Sequence, residues 1–445
     1  MHTKESLRAA LLSTHQRLID LVCSLTDEQR NVPYHPGINP PVWELGHAAF
    51  FYEVFVLRRL DNSAALMPGF DSIWDSFDID HKNRWKEGVV PSLESTLAYS
   101  NEVIERVLNR IDNRAWSEDA HYLYRYAVHH EQMHIESQIW CRQTLGYPAP
   151  FGVVPNNPVQ SPDQALDALI PEGDYRIGKL PDDLNKATLG FAFDAEKPGR
   201  VVHLAPFLIA KRSVSQGDFL AFVEAGGYDN LDYWSYGGKN WLLQYRDQDK
   251  DIAKQARTSV PGPIYWACHN GKWSRRWFDQ WLPLNPAHPL LNISYWEAEA
   301  YCAWAKRRLP TEAEWEAATL NATLDGPAPC YPWGDSIADC QGDLDAEALG
   351  TNSVDADDFG KNPFGLKQTI GTAWEWTSDQ FLPYDGFTMD MYPYMSTLQF
   401  GYHKVTKGGS CATSRSLIRG TYRQAYLPFR RDVFTGFRTC SLEQI

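Results

Sequence analysis

The chain has 445 residues, with 42 Lys+Arg against 56 Asp+Glu for a formal charge of −14, and 43% of its residues are hydrophobic. Such a length and composition support a sizeable core in two or three domains and exclude a disordered, fibrous or disulfide-stapled chain. The acidic balance, with no long Lys/Arg block, argues against nucleic acid and membrane surfaces as partners, and the excess of Trp (17) and Tyr (22) suits pockets for rings or cations as well as a Trp-rich core.

The first stretch, MHTKESLRAALLSTHQRLIDLVCSL, sets apolar residues at helical spacing with polar ones between. It is unlike a signal-peptide apolar region or a membrane span, so a cytoplasmic protein is expected. The eight cysteines (23, 141, 268, 302, 330, 340, 411, 440) form no CxxC pair and suit a reducing compartment. Between Ser6 and about Leu145, four runs repeat the i, i+3, i+4, i+7 pattern: LRAALLSTHQRLIDLV, PPVWELGHAAFFYEVFVLRRL, SLESTLAYSNEVIERVLNRI and DAHYLYRYAVHHEQMHIESQIWCRQTL. They predict an up-and-down four-helix bundle over residues 1–146, a fold that builds metal sites from inward side chains. Residues 147–170 read as a Pro-rich linker with one short helix-like stretch near its end. From 171 to 445 the pattern changes to short β-like stretches (DYRIGK, RVVHLAPFLIAKRSV), two helical ones (QGDFLAFVEAG and SYWEAEAYCAWAKRRLPTEAEWEAA) and long Gly-, Pro- and Trp-rich loops. The predicted fold class is α+β, in two domains.

The strongest chemical signal is HHEQMHIE, His129 to Glu136, in the fourth helix. Residues four apart share a helix face, so His130 and His134 can bind one metal together, whereas His129, about 100° away, is expected at the surface or behind the ligands. His130-Glu131-x-x-His134 also has the HExxH form of zinc proteases, with Glu131 as base. That reading lacks a third ligand, because position 140 is Trp and no acid follows Glu136 before Asp163. Glu136 lies about 120° off the metal-facing stripe and suits a supporting role. His47, on another long helix among aromatic and small apolar residues, is the better third ligand. Three imidazoles leave positions open on an octahedral Fe(II) for a thiolate, O2 and a substrate nitrogen; Zn with one open tetrahedral position would suit hydrolysis. The bundle alone leaves both open, together with a buried polar cluster that holds no metal.

Downstream, a set of motifs follows in order: IPEGDYRIG (Ile170–Gly178), FDAEKP (Phe193–Pro198), RLPTEAEW (Arg308–Trp315), YPWGD (Tyr331–Asp335), NPFGL (Asn362–Leu366), Trp374-Glu-Trp376, Gly408-Gly-Ser410 and Gly436-Phe-Arg438. Together they resemble the formylglycine-generating-enzyme, or sulfatase-modifying-factor, fold, which is C-type-lectin-like. Where that family's copper-binding oxidases carry a cysteine pair, this chain has Thr413 and Ile418, with Cys411 out of register. Oxidation of a protein cysteine to formylglycine is therefore not expected. A DinB-like bundle with a His and an HxxxHxE motif, fused to this fold, resembles the ergothioneine-type sulfoxide synthases. The resemblance implies a non-haem Fe(II) enzyme that uses O2 as co-substrate to join a thiol to the imidazole of hercynine, a histidine betaine. It implies His47, His130 and His134 as iron ligands and an active site between the two domains.

Within that group, HEQMHIESQIWCRQTLGYPAP, DIDHKNRW (Asp78–Trp85) and WSRRWFDQWLPL resemble the selenoneine synthase branch, whose members form a C–Se bond from a selenosugar and hercynine. Arg84 in the second of these is a substrate-binding candidate, and no arginine-rich segment for γ-glutamylcysteine is obvious. The resemblance implies a catalytic tyrosine in FLPYDGFTMDMYPYMS, at Tyr392, with Tyr394 as the neighbour that a loop shift would substitute. A trimethylammonium group is recognised by aromatic faces, and Trp376, Tyr422, Tyr426 and Phe429 are the candidates. Gln424 stands where relatives usually have Asn, and Met133 where sulfur-inserting enzymes often have Gln. Gly-Thr-Ala before Trp374, Lys407-Gly-Gly-Ser-Cys411 and Met395 also depart from the family pattern, which suggests altered substrate specificity. The expected activity is thus a C–Se or C–S bond-forming synthase. The alternatives are a cysteine-using ergothioneine-type sulfoxide synthase, a zinc-dependent DinB-like thiol transferase or hydrolase, and a binding protein whose metal is structural.

Overall fold

A computed structural model describes residues 3–115, 117–155, 158–180, 191–245, 262–326, 328–356 and 362–443. The chain divides into two compact units, Met1–Phe151 and Gly152–Ile445, a division that falls inside the stretch read as a linker.

The first unit is built on four long helices: α1 (Lys4–Cys23), α2 (Pro41–Tyr52), α3 (Leu93–Asn113) and α4 (Glu118–Leu145). Each start is specified locally. Thr3 and Ser6 form a reciprocal cap on α1, Ser92 and Ser117 accept backbone N–H groups at the starts of α3 and α4, and Pro41 opens α2 where its missing N–H costs nothing. Gly146 ends α4 at φ 69°, a left-handed conformation that glycine adopts without a Cβ penalty. The helix α3 buries one stripe (Thr96, Tyr99, Ser100, Val103, Ile104, Val107, Ile111), as an amphipathic helix at the edge of a core should. By contrast α2 is buried along nearly its whole length, continues through a π-helical turn at Glu53–Arg58, and packs against α3 and α4.

The second unit holds short strands and helices within long ordered loops. One sheet has the order β1 (Asp167–Ile170), β4 (Phe207–Ala210), β13 (Cys440–Ser441), β8 (Arg307–Arg308). Another has the order β11 (Gln424–Tyr426), β10 (Lys404–Lys407), β9 (Trp374–Gln380), β12 (Thr435–Gly436), with β12 parallel to β9. Its register aligns Trp376, Thr406 and Gln424 across three strands. A hairpin of β2 (Gly173–Ile177) with β3 (Arg200–Leu204) and a three-stranded sheet of β5 (Trp266–His269), β6 (Lys272–Trp277) and β7 (Gln280–Pro283) complete the strands. Buried ion pairs tie the loops down, among them Arg438–Glu375, Arg423–Glu312 and Lys407–Glu316.

Two expectations are corrected. The helix-like end of the predicted linker is strand β1: Ala168 and Ile170 are buried while Leu169 is exposed, a period of two, and Asp167 pairs with Arg307 at 2.7 Å. The long run from Ser294 to Ala318 is not one helix but two, α5 (Tyr295–Ala305) and α6 (Glu312–Leu320). Lys306 breaks it at φ 53°, and Thr311 with Glu314 caps the second start.

Candidate metal centre

His47 on α2 and His130 and His134 on α4 converge, with one ligand atom from each lying within 4.8 Å of the others. The Nε2 atoms of His130 and His134 are 3.4 Å apart. The first two rings are buried and the third is half-buried. His47 Nδ1–H donates to the Trp74 carbonyl at 2.6 Å, which leaves its Nε2 lone pair for a ligand role. Ring packing fixes two of the imidazoles: Trp43 stacks on His47 at 4.7 Å and Phe51 on His130 at 3.8 Å. Burial, then the nearby histidines, holds His47 and His130 well below the ordinary imidazole value, so both are neutral. Bonds of about 2.1 Å from one metal to two nitrogens, roughly 90–110° apart, span about 3.0–3.4 Å, so the nitrogen separation and the neutral donors fit a metal. Such a donor set accepts Fe, Zn, Cu or Ni.

Behind these histidines lies Glu44, fully buried on α2, with Oε1 3.8 Å from His134 Nδ1. It accepts hydrogen bonds from Ser137 Oγ at 2.6 Å, Gln138 Nε2 at 2.5 Å and Asn39 Nδ2 at 2.9 Å. Burial alone would raise its carboxyl, but His134 and then these donors hold it below the ordinary value. Sequence reasoning missed Glu44 and favoured Glu136 for this supporting role. The available signal was a lone acid one helical turn before His47 in an apolar helix. Of the two places expected for His129 the surface is excluded: it is buried, and its Nδ1–H bonds Gln132 Oε1 at 3.0 Å. Glu131, the would-be base of HExxH, is committed elsewhere. Its oxygens take His15 Nδ1–H at 2.8 Å and the Tyr52 hydroxyl at 2.9 Å, with Ser100 Oγ 3.2 Å from His15 Nε2 behind them.

Two other predicted site residues lie by this centre. The Arg84 guanidinium sits 3.8 Å over the Trp43 ring that stacks on His47, and its Nη1 donates to Asn39 Oδ1 at 2.6 Å. Met133 is half-buried and precedes His134 on α4, about 100° round the helix from it.

In the second unit, Trp376, Gln424 and Tyr426 come together. Trp376 is fully buried with Nε1–H on the Ile293 carbonyl at 2.7 Å, its ring is 6.4 Å from that of Tyr426, and Gln424 Nε2 donates to the Tyr426 hydroxyl at 3.3 Å. Tyr422 packs instead in the core against Trp374 and Phe193, and Phe429 is exposed. Tyr392 is buried and Tyr394 partly so, with ring centroids 5.7 Å apart. A Cβ on Gly409 would lie 3.0 Å from Ile418 and 3.6 Å from Thr413, so the two positions that lack cysteines are neighbours in space.

Residues 150–441 match the sulfatase-modifying factor enzyme 1-like domain family, and residues 10–139 match the DinB superfamily. The chain is 28% identical to the hercynine oxygenase of Mycolicibacterium smegmatis over 98% of this chain and 99% of that one. It is 29% identical to the hercynine oxygenase of Mycolicibacterium thermoresistibile over 98% and 94%. The formylglycine-generating enzyme of Thermomonospora curvata is 31% identical over 63% of this chain and 95% of its own length. Among the described residues, no helix is long and apolar enough to cross a membrane. With both domains matched and likeness to hercynine oxygenases from end to end, the chain belongs to the sulfatase-modifying factor enzyme 1-like domain family and, within it, to the ergothioneine-type sulfoxide synthases.

Proposed function

We propose that this protein is an O2-dependent, mononuclear non-haem Fe(II) synthase of the cytoplasm that joins a selenosugar, or a thiol, to the imidazole of hercynine. The observation that carries the reading is the three-imidazole cluster His47/His130/His134 in a chain similar over its whole length to hercynine oxygenases. When bound, Fe(II) would supply open coordination positions for the sulfur or selenium donor and for O2. The protein's own groups divide the remaining work. His47, His130 and His134 hold the metal without adding negative charge. The Arg84 guanidinium, 3.8 Å over Trp43, attracts a substrate carboxylate by its charge. The faces of Trp376 and Tyr426 attract a trimethylammonium group, and Gln424 provides an amide beside them. The Tyr392 Oη, or that of Tyr394, donates the proton that the oxidative coupling requires.

Two features favour selenium. Met133 stands where sulfur-inserting enzymes often have Gln, and the DIDHKNRW segment resembles the selenoneine branch. Cysteine is the runner-up donor. A zinc hydrolase is disfavoured because both oxygens of Glu131 are taken by His15 and Tyr52.

The test is competition between donors. Apoprotein loaded anaerobically with Fe(II) is given hercynine with an equimolar selenosugar and cysteine, O2 is admitted, and products are read by mass spectrometry. A selenium-substituted imidazole that is lost in His134→Ala supports the proposal. A sulfur product alone moves the protein to the cysteine-using reading, and an unmodified imidazole with both donors rejects hercynine as substrate.

A further inference from the structure

The turn Asp194–Glu196 in the second unit is fully buried and carries two carboxylates that serve different segments. Glu196 receives Arg419 Nε at 2.8 Å and the Thr421 hydroxyl at 2.7 Å, and the Ala195 carbonyl receives Arg423 Nη1 at 2.8 Å. These bonds hold the segment that leads into Gln424 and Tyr426 on β11. Asp194 serves the tyrosine loop. Its Oδ2 accepts the Ser396 hydroxyl at 2.8 Å and the Asp390 amide at 3.3 Å, and its Oδ1 accepts the Ala195 amide at 2.7 Å.

Asp390 and Ser396 bracket Tyr392, so one carboxylate grips both ends of the loop 390–396. Inside that span the chain closes on itself, with Met395 N–H on the Tyr392 carbonyl at 3.0 Å and Ser396 N–H on the Pro393 carbonyl at 3.2 Å. The nearby cation, Lys197, bonds Asp390 at 2.9 Å and so braces the same loop. A buried carboxylate satisfied by N–H and O–H donors is a costly anchor, and here its bonds reach the two ends of one loop. The same turn therefore sets the position of Tyr392 relative to β11.

We propose that Asp194 is a positioning residue that holds the Tyr392 phenol in register with the Gln424–Tyr426 strand. The inference rests on the proposed role of Tyr392. A one-ångström misplacement of a reacting group costs about 100-fold in rate, so loosening the loop should act on turnover more than on binding. Asparagine cannot replace this carboxylate: with one oxygen left, its NH2 must face the Asp390 or the Ala195 amide, donor against donor.

The experiment compares wild type, Asp194→Asn, Ser396→Ala, Tyr392→Phe and the Asp194→Asn/Tyr392→Phe double variant, all Fe(II)-loaded. The expected result is a kcat at least tenfold lower in Asp194→Asn, KM for hercynine within twofold, and no further loss when it is added to Tyr392→Phe. Multiplying losses in the double variant, or a raised KM at unchanged kcat, would overturn the proposal. Ser396→Ala deletes one of the anchoring bonds and gives the same readout if Asp194→Asn does not fold. Amide hydrogen exchange separates this inference from the functional reading beneath it. If wild type shows no turnover, faster exchange confined to 390–396 in the variants still supports the anchor, and unchanged exchange there rejects it.

Discussion

The carboxylate of Glu44 lies 3.8 Å from Nδ1 of His134, on the side of the ring away from the Nε2 that faces His130. At that distance the contact is electrostatic rather than a hydrogen bond, and three donors from Asn39, Ser137 and Gln138 keep the carboxylate in place. A carboxylate behind a ligating histidine raises its basicity. Glu44→Gln is therefore expected to weaken metal binding by about 10–100-fold, measured by competition of apoprotein with a chelating dye. An unchanged affinity would reduce Glu44 to a helix-packing residue.

Gly46 is the close-approach point of α2. A Cβ there would fall 2.3 Å from the ring of buried Trp74, whose carbonyl holds His47 Nδ1. Gly46→Ala is expected to cost about 1–3 kcal/mol of stability and to weaken metal binding in the same variant, since Trp74 cannot shift without moving the His47 acceptor. Denaturant unfolding and metal titration of one preparation check both. A stable variant with normal metal affinity would contradict the tight coupling.

Glu131 bonds His15 and Tyr52 inside the bundle, and burial, then Glu131, holds the Tyr52 phenol well above its ordinary value, so that hydroxyl stays a donor. Glu131→Gln should lower stability by about 2–4 kcal/mol and leave metal affinity within about twofold. Loss of activity at unchanged stability would restore the HExxH reading.

Asp343 accepts the Gly350 amide at 2.7 Å and the Ala348 amide at 3.0 Å, yet burial raises its carboxyl from 3.8 to about 6. A carboxyl raised in the folded state binds more protons there than in the unfolded chain, so its contribution is full below the unfolded value and is lost as pH rises through about 6. Relative to Asp343→Asn, wild type should lose about 2–3 kcal/mol between pH 4 and pH 7. Urea midpoints of both proteins at the two pH values test this, and a constant difference would contradict it.

The convergence of His47, His130 and His134 was legible because a helix converts HxxxH into one face and because His47 stood alone in an apolar run. Glu44 was not, since its partners Ser137 and Gln138 belong to a helix some ninety residues away, and no local pattern links them. The surface alternative for His129 fails because angular offset implies solvent only when one helix face is wet, and α4 is buried on several sides. The strand at Asp167–Ile170 followed a short apolar run, whose period is ambiguous until Phe207–Ala210 pairs with it. The break at Lys306 carries no Gly or Asn to announce it. In the second unit the motifs mark out the domain, but not that Tyr422 turns into the core while Tyr426 meets Trp376.

The most direct test is oxygen uptake by the purified protein on addition of hercynine and a selenium or sulfur donor, with Fe(II) or Zn(II) loaded in parallel. The account predicts uptake coupled mole for mole to the substituted imidazole with Fe(II), none with Zn(II), and none in His47→Ala, His130→Ala or His134→Ala. Product formed without O2, or equally well with Zn(II), would contradict it.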